Sequence, residues 1–191
     1  MTPTKLALNN KPEYTNDGFL SWELEGYHSG ALLDFMRLMR GHSGFSLLFL
    51  QYNDPLYRDK LIPYLNRYAE RPATLSLDPE TDFSTLEERL VALDAENDLI
   101  HVVGLNEWLS GESRSAKFRG FNYHRELLAE RVRTTLAFWM TENDIRDFAL
   151  EAPDMWAWRK GVIDFSVARQ ERDALERSRI DLNSDDLVEC Q

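Results

Sequence analysis

A chain of 191 residues, 43% of them hydrophobic, can bury one sizeable core, and no stretch reaches the roughly 18 consecutive apolar residues a membrane helix needs. Its 33 acidic residues against 22 basic give a net charge of −11, which argues against nucleic acid as a partner, since that binding rests on Lys and Arg contacts to phosphate. The single cysteine, Cys190, excludes an internal disulfide and a Cys₄ or Cys₂His₂ zinc site, as expected for the reducing cytoplasm.

Residues 1–19 are polar, with Pro3, Pro12 and an Asn-Asn pair, and read as a flexible leader without the apolar core of a signal peptide. From Ser29, the spacing Leu32, Leu33, Phe35, Met36, Met39 predicts an amphipathic helix, with Gly41 and Gly44 bracketing its end. Residues 45–50 form an apolar run of strand length, and Pro55 is well placed to open the next helix. That helix continues over 56–69 with Leu61, Ile62, Leu65 and Tyr68 on one side, and Pro63 is tolerable only in its first turns or at a kink.

A short second strand is expected over 73–77, then a helix through Leu86, Leu90 and Leu93 capped by Asp82 or Ser84. Residues 98–105 give the third strand, expected to be central and buried on both faces. The Gly, Ser and Arg-rich stretch 110–120 reads as a mobile loop, after which Asn122 starts a helix reaching residue 131. Residues 134–140 make the fourth strand. Thr141, with Asp144 three residues on, is a loose helix-start signal for 145–150. A fifth strand is expected over 162–165 and a charged helix over 166–179.

Apolar strands alternating with amphipathic helices predict an α/β fold, a mainly parallel five-stranded sheet with helices on both faces. Ligands of such sheets meet the carboxyl ends of the strands, here near residues 51–54, 78–80, 105–108 and 140–143.

The first strand-to-helix turn carries most of the functional reading. A phosphate-binding loop needs glycines whose backbone N–H groups wrap the phosphates, a lysine, and a Ser or Thr for Mg²⁺. In its place stands Gln51-Tyr-Asn-Asp-Pro-Leu-Tyr-Arg-Asp-Lys60, without glycine, with Pro55 lacking a donor and Asp54 repelling phosphate. The layout is therefore that of a P-loop NTPase lacking the phosphate-binding loop. Glu107 stands near the end of the third strand, where an acid would orient Mg²⁺, but an apolar strand ending in an acid is common.

His101 reads as a core residue, and no two histidines have the spacing of a helical metal pair. No Gly-x-Ser-x-Gly turn is present, so no catalytic, cofactor-binding or metal residue is assigned. The most distinctive stretch is Asp154-Met-Trp-Ala-Trp-Arg159, where Trp156, Trp158 and Arg159 are the candidate partner-binding residues. Two residues apart in a helical turn, the two indoles are expected to face different ways, one into the core and one out beside Arg159.

The runs Phe45-Ser-Leu-Leu-Phe-Leu-Gln-Tyr-Asn-Asp-Pro, Val103-Gly-Leu-Asn-Glu, Asn122-Tyr-His-Arg-Glu-Leu-Leu and Ala152-Pro-Asp-Met-Trp-Ala-Trp-Arg-Lys-Gly-Val-Ile-Asp-Phe resemble inactive STAND-like domains. These are P-loop-derived modules of bacterial signalling and conflict proteins, placed beside tetratricopeptide repeats or effector domains. The resemblance covers roughly residues 20–166, leaving 167–191 as a charged helical tail rather than a repeat array. It implies a role in regulated assembly with a partner protein, an effector or repeat protein, and no catalysis. The alternative is a divergent nucleotide-binding switch using Glu107, Arg125 and the Trp cluster. A hydrolase built on His124 and Glu126 is a third reading.

Overall fold

The computed structural model describes residues 28–40 and 44–168, and the expected leader and most of the expected tail lie outside them. Five strands, β1 (Ser46–Gln51), β2 (Pro72–Ser76), β3 (Leu99–Val103), β4 (Thr135–Met140) and β5 (Arg159–Asp164), form one all-parallel sheet in the order β2-β3-β4-β1-β5. Around it stand α1 (Ser29–Met39), α2 (Pro55–Leu65), α3 (Phe83–Asp94), α4 (Leu105–Trp108), α5 (Arg114–Arg131), α6 (Glu142–Glu151) and α7 (Pro153–Ala157). The expected α/β class and P-loop-like layout are borne out.

Strand order distributes the helices. The chain crosses from β1 to the far edge at β2, then returns through β3 and β4 and passes beyond β1 to β5. Crossovers of one hand running in opposite directions put their helices on opposite faces. Accordingly Leu48, Leu50 and Trp139 pack with α1 and α2 residues such as Phe35, Leu61 and Leu65. The alternate residues Leu47, Phe49, Leu136 and Phe138 pack with Leu86, Phe118, Phe121 and Phe148 from α3, α5 and α6. β4 is buried at every position, which suits a run of Thr, Leu, Ala, Phe, Trp and Met with no charge.

Several local expectations need correction. The expectation for β3 holds, since it is an interior strand buried at residues 99–102, beside β4 in the middle place. β3 ends at Val103 because Gly104 takes φ +79° and opens α4; a Cβ there would collide with the Leu77 carbonyl. The stretch 110–120 is largely not a loop: α5 begins at Arg114. Its burial of Phe118 and Phe121 outweighs its Gly and Ser content, and Gly120 lets Phe83 lie where a Cβ would stand 2.7 Å away. Asn122 therefore sits inside a helix instead of starting one.

At the first helix, Leu33 is half exposed although it belongs to the apolar stripe. α2 ends at Leu65, followed by a 3₁₀ turn over Asn66–Tyr68, and it carries Pro63 with that ring in solvent. β5 begins three residues before the expected start, and residues 165–168 are not helical. Among the described residues, no helix is long and apolar enough to cross a membrane.

Candidate functional site

At the carboxyl end of β1, the turn expected to decide phosphate binding is built around Asp54. Its Oδ1 accepts the backbone N–H groups of Leu56 at 2.8 Å and Tyr57 at 3.0 Å, and the residue is only 8% exposed. This is an N-cap, with Pro55 in the first helical position where a missing donor costs nothing. The amino terminus of α2, where backbone donors and the helix dipole favour an anion, thus already holds the protein's own carboxylate.

Beside the cap, Tyr52 joins two elements. Its hydroxyl donates to Asn106 Oδ1 of α4 at 3.1 Å and accepts from Arg58 Nη1 at 3.1 Å, while the Arg58 guanidinium lies 4.9 Å from its ring centre. Burial raises the phenol above its ordinary pKa; Arg58 opposes this and nearby Glu107 adds to it. Arg58 also pairs with Asp59 at 2.8 Å. Lys60 and Glu107 are exposed, and neither has an ion pair among the described residues. Further along the same end, Arg114 bridges Asp144 at 3.0 Å and Asp147 at 2.8 Å and donates to the Leu109 carbonyl, fixing the start of α5 to α6.

The Trp corner is at the other end of the sheet. Arg159 opens β5 in register with Leu47, near the start of β1. The short α7 is held from outside: Asn122 Oδ1 accepts the N–H groups of Asp154 and Met155, each at 3.1 Å. Met155 is buried, and the Trp156 ring packs 4.9 Å from Phe49 against the core. Trp158 is 41% exposed and meets Phe45 edge-on at 6.4 Å. The two indoles differ in exposure, Trp156 half-buried against the core and Trp158 exposed. Arg159, however, stacks 4.0 Å over Trp156, donating to its carbonyl at 3.0 Å, rather than standing with Trp158. Val162, the register partner of Phe49, adds 43% exposed apolar surface on the edge strand.

The remaining candidates are not brought together. Glu107 belongs to the carboxyl end, whereas Arg125 bonds the Asn122 carbonyl at 2.7 Å and Asp154 at 3.5 Å beside the Trp corner. His124 pairs with Glu87 at 3.2 Å while Glu126 pairs with Arg125 at 3.1 Å, so His124 and Glu126 face different ways. His101 is wholly buried, as expected of a core residue. Among the described residues, no group of three or more His, Cys, Asp or Glu could hold a metal ion.

No protein-family model matches this chain, and no curated protein matches it. The Tyr52, Arg58 and Asn106 cluster is the feature sequence reading missed. Tyr52 and Arg58 flank the capped turn, but Asn106 lies 54 residues away and only the sheet order joins them.

Proposed function

We propose that this chain is a non-catalytic interaction and regulatory module that docks a partner protein on the Trp158, Arg159 and Val162 surface at the start of β5. The observation that carries this reading is Trp158: a large aromatic with 41% of its surface exposed, edge-on to Phe45 and next to a stacked arginine. Trp and Arg are the residues most enriched at binding hot spots, because they combine large apolar area with directed polar contact. Asp54, filling the anion position of α2, supports a role that does not turn on phosphate. The resemblance to inactive STAND-like domains points the same way, to regulated assembly with an effector or repeat protein in the bacterial cytoplasm.

The test is affinity capture of the chain from its own cells before and after Trp158→Ala. A protein retained by the parent chain and lost by a folded variant supports the reading. A variant that retains it contradicts the docking surface.

The second reading, a divergent nucleotide-binding switch, draws its support from Tyr52, Arg58 and Asn106 at the carboxyl ends of β1 and β3. A thermal shift with ATP or GTP and Mg²⁺ separates the two. Binding at a hundredfold over Kd would stabilise the fold by about 2.7 kcal/mol. The docking reading predicts no shift.

A further inference from the structure

β5 ends the sheet on one side. It pairs with β1, and no other strand of the described residues lies against its outer side. Phe165, the residue after it, donates its N–H to the Gln51 carbonyl at 2.9 Å. Successive residues of a strand turn their N–H and C=O to alternate sides, so Val162 and Asp164 direct theirs to the outer edge. Such a row of donors and acceptors is a template for another strand. Exposed apolar side chains accompany this edge on both faces. Val162 is 43% exposed on the face of Phe49, its register partner. On the other face α1 packs on β5, with Leu38 so close that a Cβ on Gly161 would lie 2.7 Å from it, and α1 carries Leu33, 50% exposed.

The charges of β5 select which strand can pair there. It begins with Arg159 and Lys160 and ends in Asp164, all exposed. A lysine on an edge deters pairing with an arbitrary strand. Against a second β5 running antiparallel, with Val162 opposite its own copy, each Lys160 stands opposite Asp164 of the other chain. Opposite charges facing across a pair stabilise it and like charges oppose it. A parallel pairing of two β5 strands would set cation against cation and is disfavoured. Lys160 donates to the Leu38 carbonyl at 2.7 Å and Asp164 accepts the Ser166 N–H at 2.8 Å. An ammonium has three donors and a carboxylate two acceptor oxygens, so these bonds are compatible with the cross-strand pair.

The other edge answers none of this. β2 reads Pro72-Ala-Thr-Leu-Ser, without a charge and opening on a residue that lacks an N–H. A contact of β5 with β2 would also repeat from chain to chain without end, whereas β5 against β5 closes on a two-fold axis. We propose that this chain forms a homodimer in which two β5 strands pair antiparallel about Val162 and join the sheets into one. The contact uses the backbone edge of β5, whereas the docking reading rests on the side chain of Trp158. Only Val162 is common to both, so the two stand or fall apart.

The test is sedimentation velocity of the full chain at about 100 µM, where a dimer of about 10 µM Kd would be mostly formed. A dimer is expected. Val162→Pro removes the central outward N–H, which takes no part in the pairing with β1, so it is expected to fold and to sediment as a monomer. Lys160→Glu sets two carboxylates against each other at both ends of the pairing and is expected to weaken the dimer at least tenfold. Adding Asp164→Lys to that variant restores opposite charges and is expected to restore the dimer, an outcome that a merely damaged fold would not give. Trp158→Ala is expected to leave the dimer intact. A parent chain that is monomeric at this concentration would overturn the proposal, whatever else binds at Trp158. So would a dimer that both Val162→Pro and Lys160→Glu leave unchanged.

Discussion

The indole N–H of Trp139 donates to His101 Nδ1 at 2.9 Å, across the neighbouring strands β4 and β3 and inside the core. That bond requires Nδ1 to be an acceptor, so the neutral ring carries its proton on Nε2, which is buried without a partner among the described residues. Burial lowers the His101 pKa to about 4. The unfolded chain has the ordinary value near 6.5, so it binds more protons than the fold between the two. The neutral ring's contribution is complete above about pH 6.5 and is lost as pH falls towards 4, amounting to roughly 3 kcal/mol. Urea unfolding of the parent and of His101→Leu across this window checks the sign. The variant should be less stable at neutral pH, since Trp139 loses its acceptor, but its stability should fall less steeply with acid.

Asp54→Ala removes the cap of α2, and about 1 kcal/mol of stability should go with it. Lys60→Ala and Glu107→Ala should leave the melting temperature within experimental scatter, because both side chains are exposed and without an ion pair among the described residues. A nucleotide-dependent activity abolished by either of the last two would overturn the non-catalytic reading.

Val102 is wholly buried on β3, in the cluster that joins the sheet to α3 and α5. Val102→Asp should be severely destabilising, because the carboxylate would lose its water without gaining a partner. Chemical denaturation reads this directly. A variant that unfolds at the parent's denaturant midpoint would show that β3 is not core.

Asn122→Ala leaves the first N–H groups of α7 without the acceptor that now holds Asp154 and Met155. About 1 kcal/mol should be lost, the scale of a lost cap. The loss should appear as faster amide exchange in Pro153–Ala157, where the cap acts, with β4 unaffected.

β1, β3 and β4 were legible because each is an apolar run of strand length, and α3 because Asp82 caps it, accepting the Thr85 N–H at 2.7 Å. α5 was not, since Gly111, Gly120 and several serines resemble a loop locally. Its stability comes from Phe118 and Phe121 packing at a distance and from Arg114 held by two aspartates of α6. The first residues of β5, Arg159 and Lys160, are charged and exposed, as an edge strand permits, and so gave no strand pattern. The Trp corner was legible as a composition, and the separation of its indoles as a rule of helical geometry. That Arg159 would choose Trp156 depended on the start of β5, which was misplaced by three residues.

The central proposal is that Trp158 anchors a partner while Trp156 packs half-buried against the core. Its most direct test is the Kd of the captured partner, measured with the purified parent chain and with Trp158→Ala. Leu150→Ala serves as control, since Leu150 is 72% exposed on α6. A hot-spot loss of at least 2 kcal/mol corresponds to a roughly thirtyfold weakening, expected for Trp158→Ala with an unchanged melting temperature and absent for Leu150→Ala. A Trp158→Ala variant that is folded and binds as tightly as the parent would contradict the account.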